Sequence, residues 1–222
     1  MKFISRLSAA LFALAMMAPP AAAQPAPVFN WSGFYVGAQV GYGWGDTQHF
    51  DDGNALEKFN IDGVAAGGTV GFNWHVAPNW LVGIEGDLSF ARIRGADDAA
   101  FIGGLGTCNC ITDVKWFGTA RLRTGALVGK SFFYVTGGVA YGELFVQFDD
   151  STPGDTVRRA GWTAGAGWEY ALAPNWSTKL EYLYVDFGTF RYLEDPTNID
   201  EATARFHKIR FGVNYRFASG PR

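Results

Sequence analysis

The sequence predicts an all-β fold, an eight-stranded antiparallel up-and-down transmembrane β-barrel, from three observations. Eight segments alternate between large apolar residues and small or polar residues with a period of two. The connections between these segments alternate between tight turns and long polar stretches. The tryptophans gather near the segment ends rather than at their centres. Together these features are typical of a barrel whose strands cross a bilayer.

The first four strands are predicted in the segments 34–44, 64–76, 80–90 and 115–128. In the first segment the even positions are large and apolar, and the odd positions are mostly glycine. In the second, valine, phenylalanine and tryptophan alternate with glycine, threonine and asparagine. In the third, apolar residues alternate with glycine, glutamate, aspartate and serine, and in the fourth with threonine, arginine and glycine.

The other four strands are predicted in the segments 133–142, 162–170, 176–184 and 208–217. Each carries aromatic and aliphatic residues on one face and glycine, polar or charged residues on the other. All eight segments reach the ~9–11 residues that a tilted membrane-spanning strand needs.

The predicted connections place both chain ends on one side of the barrel. Three are tight turns, at 77–79, 129–131 and 173–175, and four are long loops, at about 45–61, 92–114, 147–160 and 188–204. The turn "VAPNW" (76–80) nearly recurs as "LAPNW" (172–176), and "FYVGAQVGYG" (34–43) resembles "FYVTGGVAYG" (133–142). These repeats predict two similar four-stranded halves, in which Pro-Asn supplies ordinary tight-turn chemistry.

A soluble sandwich or lipocalin-like barrel shows the same alternation, so alternation alone does not show which face of the strands points to the interior. The polar face holds most strand glycines together with charges of both signs, which suits a narrow eight-stranded interior. A closed barrel also satisfies its backbone groups without water, as lipid requires. The tryptophans form two bands, which predicts an interfacial aromatic belt on an apolar outer face. The belt residues are Trp31, Trp74, Trp80, Trp168 and Trp176 on the turn side, and Trp44, Trp116 and Trp162 on the loop side.

The inward face predicts a lumen charge network, because buried charges need partners and adjacent strands supply them. Its members are Glu85, Asp87, Arg121, Arg123, Glu169, Lys179, Glu181, Lys208 and Arg210. The alternative function for the same charges is the selectivity lining of a narrow small-solute porin. Barrel size favours the structural network, because eight strands leave an interior mostly filled by side chains.

The chain ends divide the sequence into four parts. Lys2 and Arg6, an apolar run and an Ala-x-Ala site predict a cleaved signal peptide at 1–23. A short linker, 24–30, precedes the barrel domain, 31–217, and a tail, 218–222, follows it. Cleavage removes two positive charges from a chain of formal net charge −3, so nucleic acid is not expected as a partner.

Four motifs carry a resemblance to a known family. "WFGTARLRTGAL" (116–127), "FYVTGGVAYG", "NWSTKLEYLYVDFG" (175–188) and "KIRFGVNYRF" (208–217) resemble the small outer-membrane β-barrel proteins of Gram-negative bacteria. These are often labelled porin-family or outer-membrane immunogenic proteins, and the resemblance spans the mature chain. It implies location in the outer membrane, contact with outer-membrane lipid and lipopolysaccharide, and insertion by the barrel-assembly machinery through the C-terminal strand. It also implies a structural, surface-related role.

Chemistry beyond this role finds little support in the sequence. An outer-membrane lipid-modifying enzyme is the rival function, and Ser89 with His207 is its candidate pair, but no third group completes a triad. Glu169 and Glu181 are better explained as salt-bridge partners than as an acid/base pair. No metal, cofactor or catalytic residue is predicted. Cys108 and Cys110 favour a loop disulfide over two free thiols, since export favours oxidised cysteines.

Overall fold

The computed structural model describes residues 29–51, 54–55, 58–100, 107–147, 154–195 and 198–217. Among these residues there is no helix that could span a membrane. The predicted signal peptide, most of the linker and the tail 218–222 lie outside the described residues. The strands are β1 (Gly33–Asp51), β2 (Asn54–Ala55), β3 (Phe59–Ala77), β4 (Trp80–Ala100), β5 (Thr107–Val128), β6 (Ser131–Gln147), β7 (Asp155–Ala173), β8 (Trp176–Asp195) and β9 (Asn198–Arg216).

The eight long strands close into one antiparallel barrel. Each pairs with its neighbours in chain order, and β1 pairs with β9 from Tyr35 opposite Arg216 to Asp51 opposite Asp200. The two-residue β2 pairs only with the end of β1. Closure leaves no free edge, so the backbone groups of the long strands are paired within the barrel. The predicted eight-stranded up-and-down barrel is confirmed.

The prediction of four long polar loops is wrong in extent. The strands run for 17 to 22 residues, well past the predicted segments, and they occupy much of what the sequence predicted as loop. The physical reason is a reversal of pattern. Beyond the aromatic belt on the loop side, the apolar residues turn inward and the polar residues outward, as Ile61, Ile93 and Val114 show by being fully buried. The pattern of outward apolar residues, from which the strands were predicted, therefore ends at the membrane edge.

The repeated Pro-Asn turns do the same work in each half of the barrel. Pro78-Asn79 and Pro174-Asn175 form the two-residue turns between β3 and β4 and between β7 and β8. The Asn79 carbonyl accepts a hydrogen bond from the Leu127 amide at 2.8 Å, and the Asn175 carbonyl accepts one from the Arg216 amide at 2.8 Å. Asn79 is thus hydrogen-bonded to the end of β5, and Asn175 to the end of β9. These bonds fix the register of the strands on the turn side.

The two faces of the strands point as predicted. Val36, Leu88 and Phe211 are 37%, 46% and 52% exposed on the outer surface, whereas Glu85 and Arg121 are each 3% exposed inside the barrel. An apolar outer surface of this kind requires a hydrocarbon environment. The interior is therefore the lumen, and its contents decide whether the barrel is open.

Candidate functional site: the charged centre of the lumen

The middle of the lumen holds ten ionisable side chains, which we call the central ionic layer. They alternate along β4, β5, β7, β8 and β9, so every second residue of each strand reaches the same interior. Each is at most 8% exposed. The carboxylates are Glu85, Asp87, Glu169 and Glu181, and the cations are Arg121, Arg123, Lys179, Lys208, Arg210 and Arg216.

Glu85 is the carboxylate with the most partners. Its Oε1 accepts hydrogen bonds from Arg121 Nη2 at 2.5 Å and from Arg210 Nη2 at 3.0 Å. Lys179 Nζ lies 2.9 and 2.8 Å from its two oxygens. On the turn side, Arg123 Nη1 donates at 3.3 Å and the Tyr35 hydroxyl at 2.7 Å to Oε2. Four cations and one hydroxyl thus converge on a single carboxylate.

Arg121 and Arg210 link Glu85 to two more carboxylates. Glu181 Oε1 accepts from Arg121 Nη1 and from Arg210 Nη2, both at 2.6 Å. Asp87 Oδ2 lies 2.9 Å from Arg121 Nη2 and 3.1 Å from Arg210 Nη1. Such charge-assisted contacts are stronger than neutral hydrogen bonds, and here they join strands on opposite walls of the barrel. The layer therefore cross-links the walls of the lumen.

Glu169 anchors the turn-side edge of the layer. It accepts hydrogen bonds from Arg123 Nη1 at 3.0 Å, from the Ser177 hydroxyl at 2.5 Å and from Asn214 Nδ2 at 3.0 Å. Arg216 Nη2 lies 3.5 Å from it. Glu169 and Glu181 therefore each serve as an ion-pair acceptor.

Beneath the ionic layer, toward the tight turns, lies a lower apolar layer. The guanidinium of Arg123 packs over the rings of Tyr35, Phe132 and Tyr134, with centroids 4.6 to 5.3 Å away. Cation–π contacts of this type stabilise a desolvated guanidinium. The layer lies at the turn-side end of the lumen and comprises Trp31, Leu81, Phe132, Tyr134 and Ala171.

The prediction of Trp31 as a belt residue is wrong. Trp31 is 3% exposed and lies inside the lumen, where its ring packs 5.7 Å from that of Phe132. Asn73 Nδ2 and an Arg216 Nη1 both donate to the Trp31 carbonyl. The residue precedes β1, so the strand alternation that places the other tryptophans does not govern it. The remaining seven lie on the outer surface, six of them exposed and Trp116 half-buried against Tyr141.

Above the ionic layer, toward the long connections, lies an upper apolar layer. Lys208 marks the boundary: its Nζ donates to Ser89 Oγ at 3.1 Å and lies 4.7 Å from the centre of the Phe117 ring. Phe206 packs against Phe117 at 5.2 Å. The layer comprises Phe59, Ile61, Ala65, Ala91, Ile93, Cys110, Val114, Phe117, Ala140, Leu144, Val146, Val157, Val185, Phe187, Phe190, Ala202, Ala204 and Phe206.

His49 is buried among these apolar residues, five positions beyond Trp44 and so outside the membrane. Its Nε2 lies 2.9 Å from the Thr112 hydroxyl, and its ring packs 5.5 Å from Phe59. Burial away from water disfavours the imidazolium and lowers the pKa of His49 to about 4. The side chain is therefore neutral at physiological pH.

The structure separates the groups of the rival catalytic hypothesis. Ser89 is fully buried in the lumen, where it contacts Lys208 and Gln39. His207 points outward, with its Nδ1 2.6 Å from the Tyr182 hydroxyl and its ring stacked on Trp44. Adjacent positions on a strand face opposite sides, so His207 points outward next to the inward Lys208. The barrel wall therefore separates His207 from Ser89, and the two cannot act on one substrate. Among the described residues no group of histidine, cysteine, aspartate and glutamate could hold a metal ion.

The cysteines lie on a strand rather than in a loop, which corrects the predicted position of the disulfide. Cys108 and Cys110 both belong to β5, and Cys110 is disulfide-bonded and buried in the upper apolar layer. The chain has no cysteine besides these two. The bond therefore belongs to the wall of the barrel on the loop side.

Three lumen residues were left out of the predicted charge network, although strand alternation places them on the inward face. Tyr35 and Tyr134 donate to Glu85 and Glu181, the latter at 2.5 Å, and Arg216 pins the Trp31 carbonyl. The available signal was strand phase: each of the three occupies the same alternate row as a glycine or charged residue of its own strand.

Sequence comparison identifies the family of this barrel. A family model described as "Outer membrane protein beta-barrel domain" matches residues 8–217. The chain belongs to this outer-membrane β-barrel family. It is 37% identical over 234 residues to the 31 kDa outer-membrane immunogenic protein of Brucella melitensis, covering 94% of this chain and 96% of the relative. It is 28% identical over 200 residues to the 25 kDa outer-membrane immunogenic protein of Brucella canis, covering 89% and 84%.

A solved structure gives the same answer for the fold. OprG, an outer membrane protein from Pseudomonas aeruginosa, matches this barrel with a TM-score of 0.59 at 14% identity, covering 86% of this chain and 99% of OprG. The chain is thus an outer-membrane protein of the Gram-negative type with a structural, surface-related role, as predicted. Both relatives are named as immunogenic proteins rather than as enzymes.

Proposed function

We propose that this protein is a closed, non-conducting barrel that contributes to the integrity of the outer membrane and displays its loop-side end at the cell surface. The observation that carries the proposal is the stacking of three layers in the lumen. A solute entering from either end meets a buried apolar layer before it reaches the central ionic layer. The charges in that layer contact one another across the barrel, which supports a lumen filled by side chains.

Conductance of the purified protein in planar bilayers tests this proposal. We expect no stable current steps from the wild type, under conditions in which a sixteen-stranded porin conducts. Stable ohmic steps that change on Arg121→Ala or Arg210→Ala would contradict the proposal and support the narrow porin instead.

We also propose that the chain has no catalytic activity on outer-membrane lipid. The separation of Ser89 from His207 across the barrel wall supports this proposal. Incubation of the folded protein with lipopolysaccharide should release no fatty acid, as measured by mass spectrometry. Release that is lost on His207→Ala would refute it.

The assembly machinery is the proposed partner of the closing strand. The end of β9 presents an outward aromatic group: Phe217 is 46% exposed and packs against Tyr215 and Phe34, while its amide donates to the Phe34 carbonyl at 3.0 Å. Phe217→Ala should reduce the amount of folded protein in the outer-membrane fraction, while Phe133→Ala, an exposed aromatic on β6, should not. Equal yields from both variants would argue against recognition at this end.

Surface display is proposed for the connections between the strands on the loop side. The relatives' description as immunogenic supports it. Antibodies raised against 148–153 should bind intact cells of the source organism, and binding that requires permeabilised cells would reverse the assigned orientation.

A further inference from the structure

The outer surface carries a groove at mid-membrane height. It crosses β3, β4, β5 and β6, has a volume of about 600 Å³, and is walled by apolar side chains. Its walls include Phe34, Val70, Phe72, Ile84, Leu122 and Val139. On its floor, Gly86 and Gly137 face outward: a Cβ added to either would come no closer than 3.8 or 3.6 Å to any neighbouring atom. The groove is thus an open depression in the lipid-facing wall.

Directly above the groove, β4 carries two exposed arginines. The outward row of this strand continues from Gly86 through Leu88 and Phe90 to Arg92 and Arg94, both exposed. Phe90 is 70% exposed, the largest fraction among the large apolar side chains that the structure describes. Along this row, apolar residues beside the groove are followed by two cationic residues.

Arg92 and Arg94 differ from four other outward cations on the loop side, whereas the outward Lys115 contacts the Thr156 hydroxyl and the Phe145 ring. Lys58, Arg158, Arg191 and Arg205 each contact a carboxylate, at 3.1 to 3.6 Å. In the part of the chain that the structure describes, neither Arg92 nor Arg94 makes such an ion pair, although Asp62 and Asp113 lie opposite Arg94 in the sheet. Asp62 instead accepts a hydrogen bond from the Tyr42 hydroxyl. The two guanidinium groups are left available to an external anion.

The dimensions match an acylated lipid. Arg92 lies six positions beyond Gly86, about 20 Å along a strand at ~3.3 Å per residue. With a strand tilt of ~45°, the vertical distance is about 14 Å, close to half of the ~30 Å hydrocarbon core. An acyl chain lying in the groove would therefore bring its headgroup to the height of the arginines.

We propose that this surface binds a phosphate-bearing, acylated lipid of the outer leaflet. One acyl chain occupies the groove against Phe90, and the headgroup phosphate is held by Arg92 and Arg94. Guanidinium groups suit phosphate because they offer paired donors in a planar fork. The inference rests on the proposed function, since it requires the barrel to stand in the outer membrane with its loop side outward.

Lipid retention by purified barrels tests the site. The protein is reconstituted in phosphatidylcholine nanodiscs containing bisphosphorylated lipid A, or its dephosphorylated form, and the lipid retained per barrel after detergent washing is measured by mass spectrometry. Arg92→Gln/Arg94→Gln should reduce retention of the bisphosphorylated lipid about thirtyfold, since each of the two basic residues near a membrane surface contributes ~1 kcal/mol. Gly86→Leu/Gly137→Leu should reduce it similarly by filling the groove.

Two matched controls isolate the effect. Arg158→Gln removes an outward cation that is already paired with Glu143, and Ala166→Leu adds bulk on the outer face of β7 outside the groove. Both should retain lipid as the wild type does, and heat-modifiable gel migration shows that each variant is folded. Wild-type retention by either double variant, or equal retention of the dephosphorylated lipid, would overturn the site. Conductance by the wild type would refute the closed barrel without altering this readout.

Discussion

Replacement of Glu85 by glutamine is the sharpest perturbation of the central ionic layer. Glutamine keeps the length and volume of the side chain and one carbonyl acceptor, so the packing of the lumen is preserved. What it removes is the negative charge that faces Arg121, Arg123, Lys179 and Arg210. The layer then holds six cations against three carboxylates instead of four.

The expected cost follows from the burial of these partners. The side chains of Glu85 and of its four cationic partners are at most 1% exposed, so water cannot replace the lost carboxylate. Removing one partner of a buried ion pair typically costs about 3 to 5 kcal/mol, because the remaining charge is left uncompensated. We expect Glu85→Gln to lower the free energy of unfolding by an amount in this range.

Urea unfolding of the barrel in phospholipid vesicles, followed by tryptophan fluorescence and by gel migration, measures this change. Glu143→Gln is the matched control, because Glu143 pairs with Arg158 on the outer surface, where the Arg158 side chain is 65% exposed. Exposed pairs contribute about 0 to 1 kcal/mol. A loss for Glu85→Gln no larger than that of Glu143→Gln would refute the stabilising role of the ionic layer.

Three further predictions concern other parts of the lumen wall. Trp31→Ala should lower the free energy of unfolding by about 3 to 5 kcal/mol in the same urea assay, because it empties the lower apolar layer; a loss below ~1 kcal/mol would place Trp31 outside the lumen. The folded-state pKa of His49 is about 4, below the ordinary 6.5. The stability that depends on a neutral His49 is therefore fully present above pH 6.5. That contribution, about 3 kcal/mol at ~1.4 kcal/mol per pH unit, is lost as pH falls from 6.5 toward 4, and the corresponding slope should be absent in His49→Gln. Gly67→Ala should prevent heat-modifiable folding, because its Cβ would lie 1.9 Å from the Leu88 carbonyl oxygen, whereas Gly86→Ala should fold normally; the reverse result would invert the assigned faces.

The sequence predicted the membrane-spanning part of the barrel well, since two environments of opposite polarity act there on every strand. Each outward residue meets lipid and each inward residue meets the ionic layer, so the period of two is strong and its phase is clear. Glu85 and Arg121 were predicted as cross-strand neighbours, and they are direct register partners.

The loop-side part was predicted poorly because the polarity reverses there. Val114 points inward on β5, while the residues of the same strand below the belt place their apolar side chains outward. An irregularity in the pairing between Val114 and Trp116 also shifts the phase of the strand at Lys115. When the apolar face changes sides and the phase shifts within a few residues, no regular alternation remains, and the sequence predicts a loop.

The site could be predicted in composition but not in connectivity. Strand alternation identified which charges face inward, yet Arg210 reaches Glu85 and Asp87 across the lumen, from a strand that does not neighbour theirs. Contacts of that kind depend on barrel diameter and side-chain length, which no local pattern encodes. The inward position of Trp31 likewise depends on its tertiary contacts with Asn73 and Arg216.

Cysteine accessibility at two consecutive positions tests the central claim, an apolar outer wall around a closed charged lumen, most directly. In a background with Cys108 and Cys110 changed to serine, Leu88→Cys and Ser89→Cys are each folded into vesicles and treated with a charged or a lipophilic maleimide. We expect Leu88→Cys to react only with the lipophilic reagent, and Ser89→Cys to react with neither until the barrel is unfolded. Rapid reaction of Ser89→Cys with the charged reagent in the folded barrel would contradict this claim.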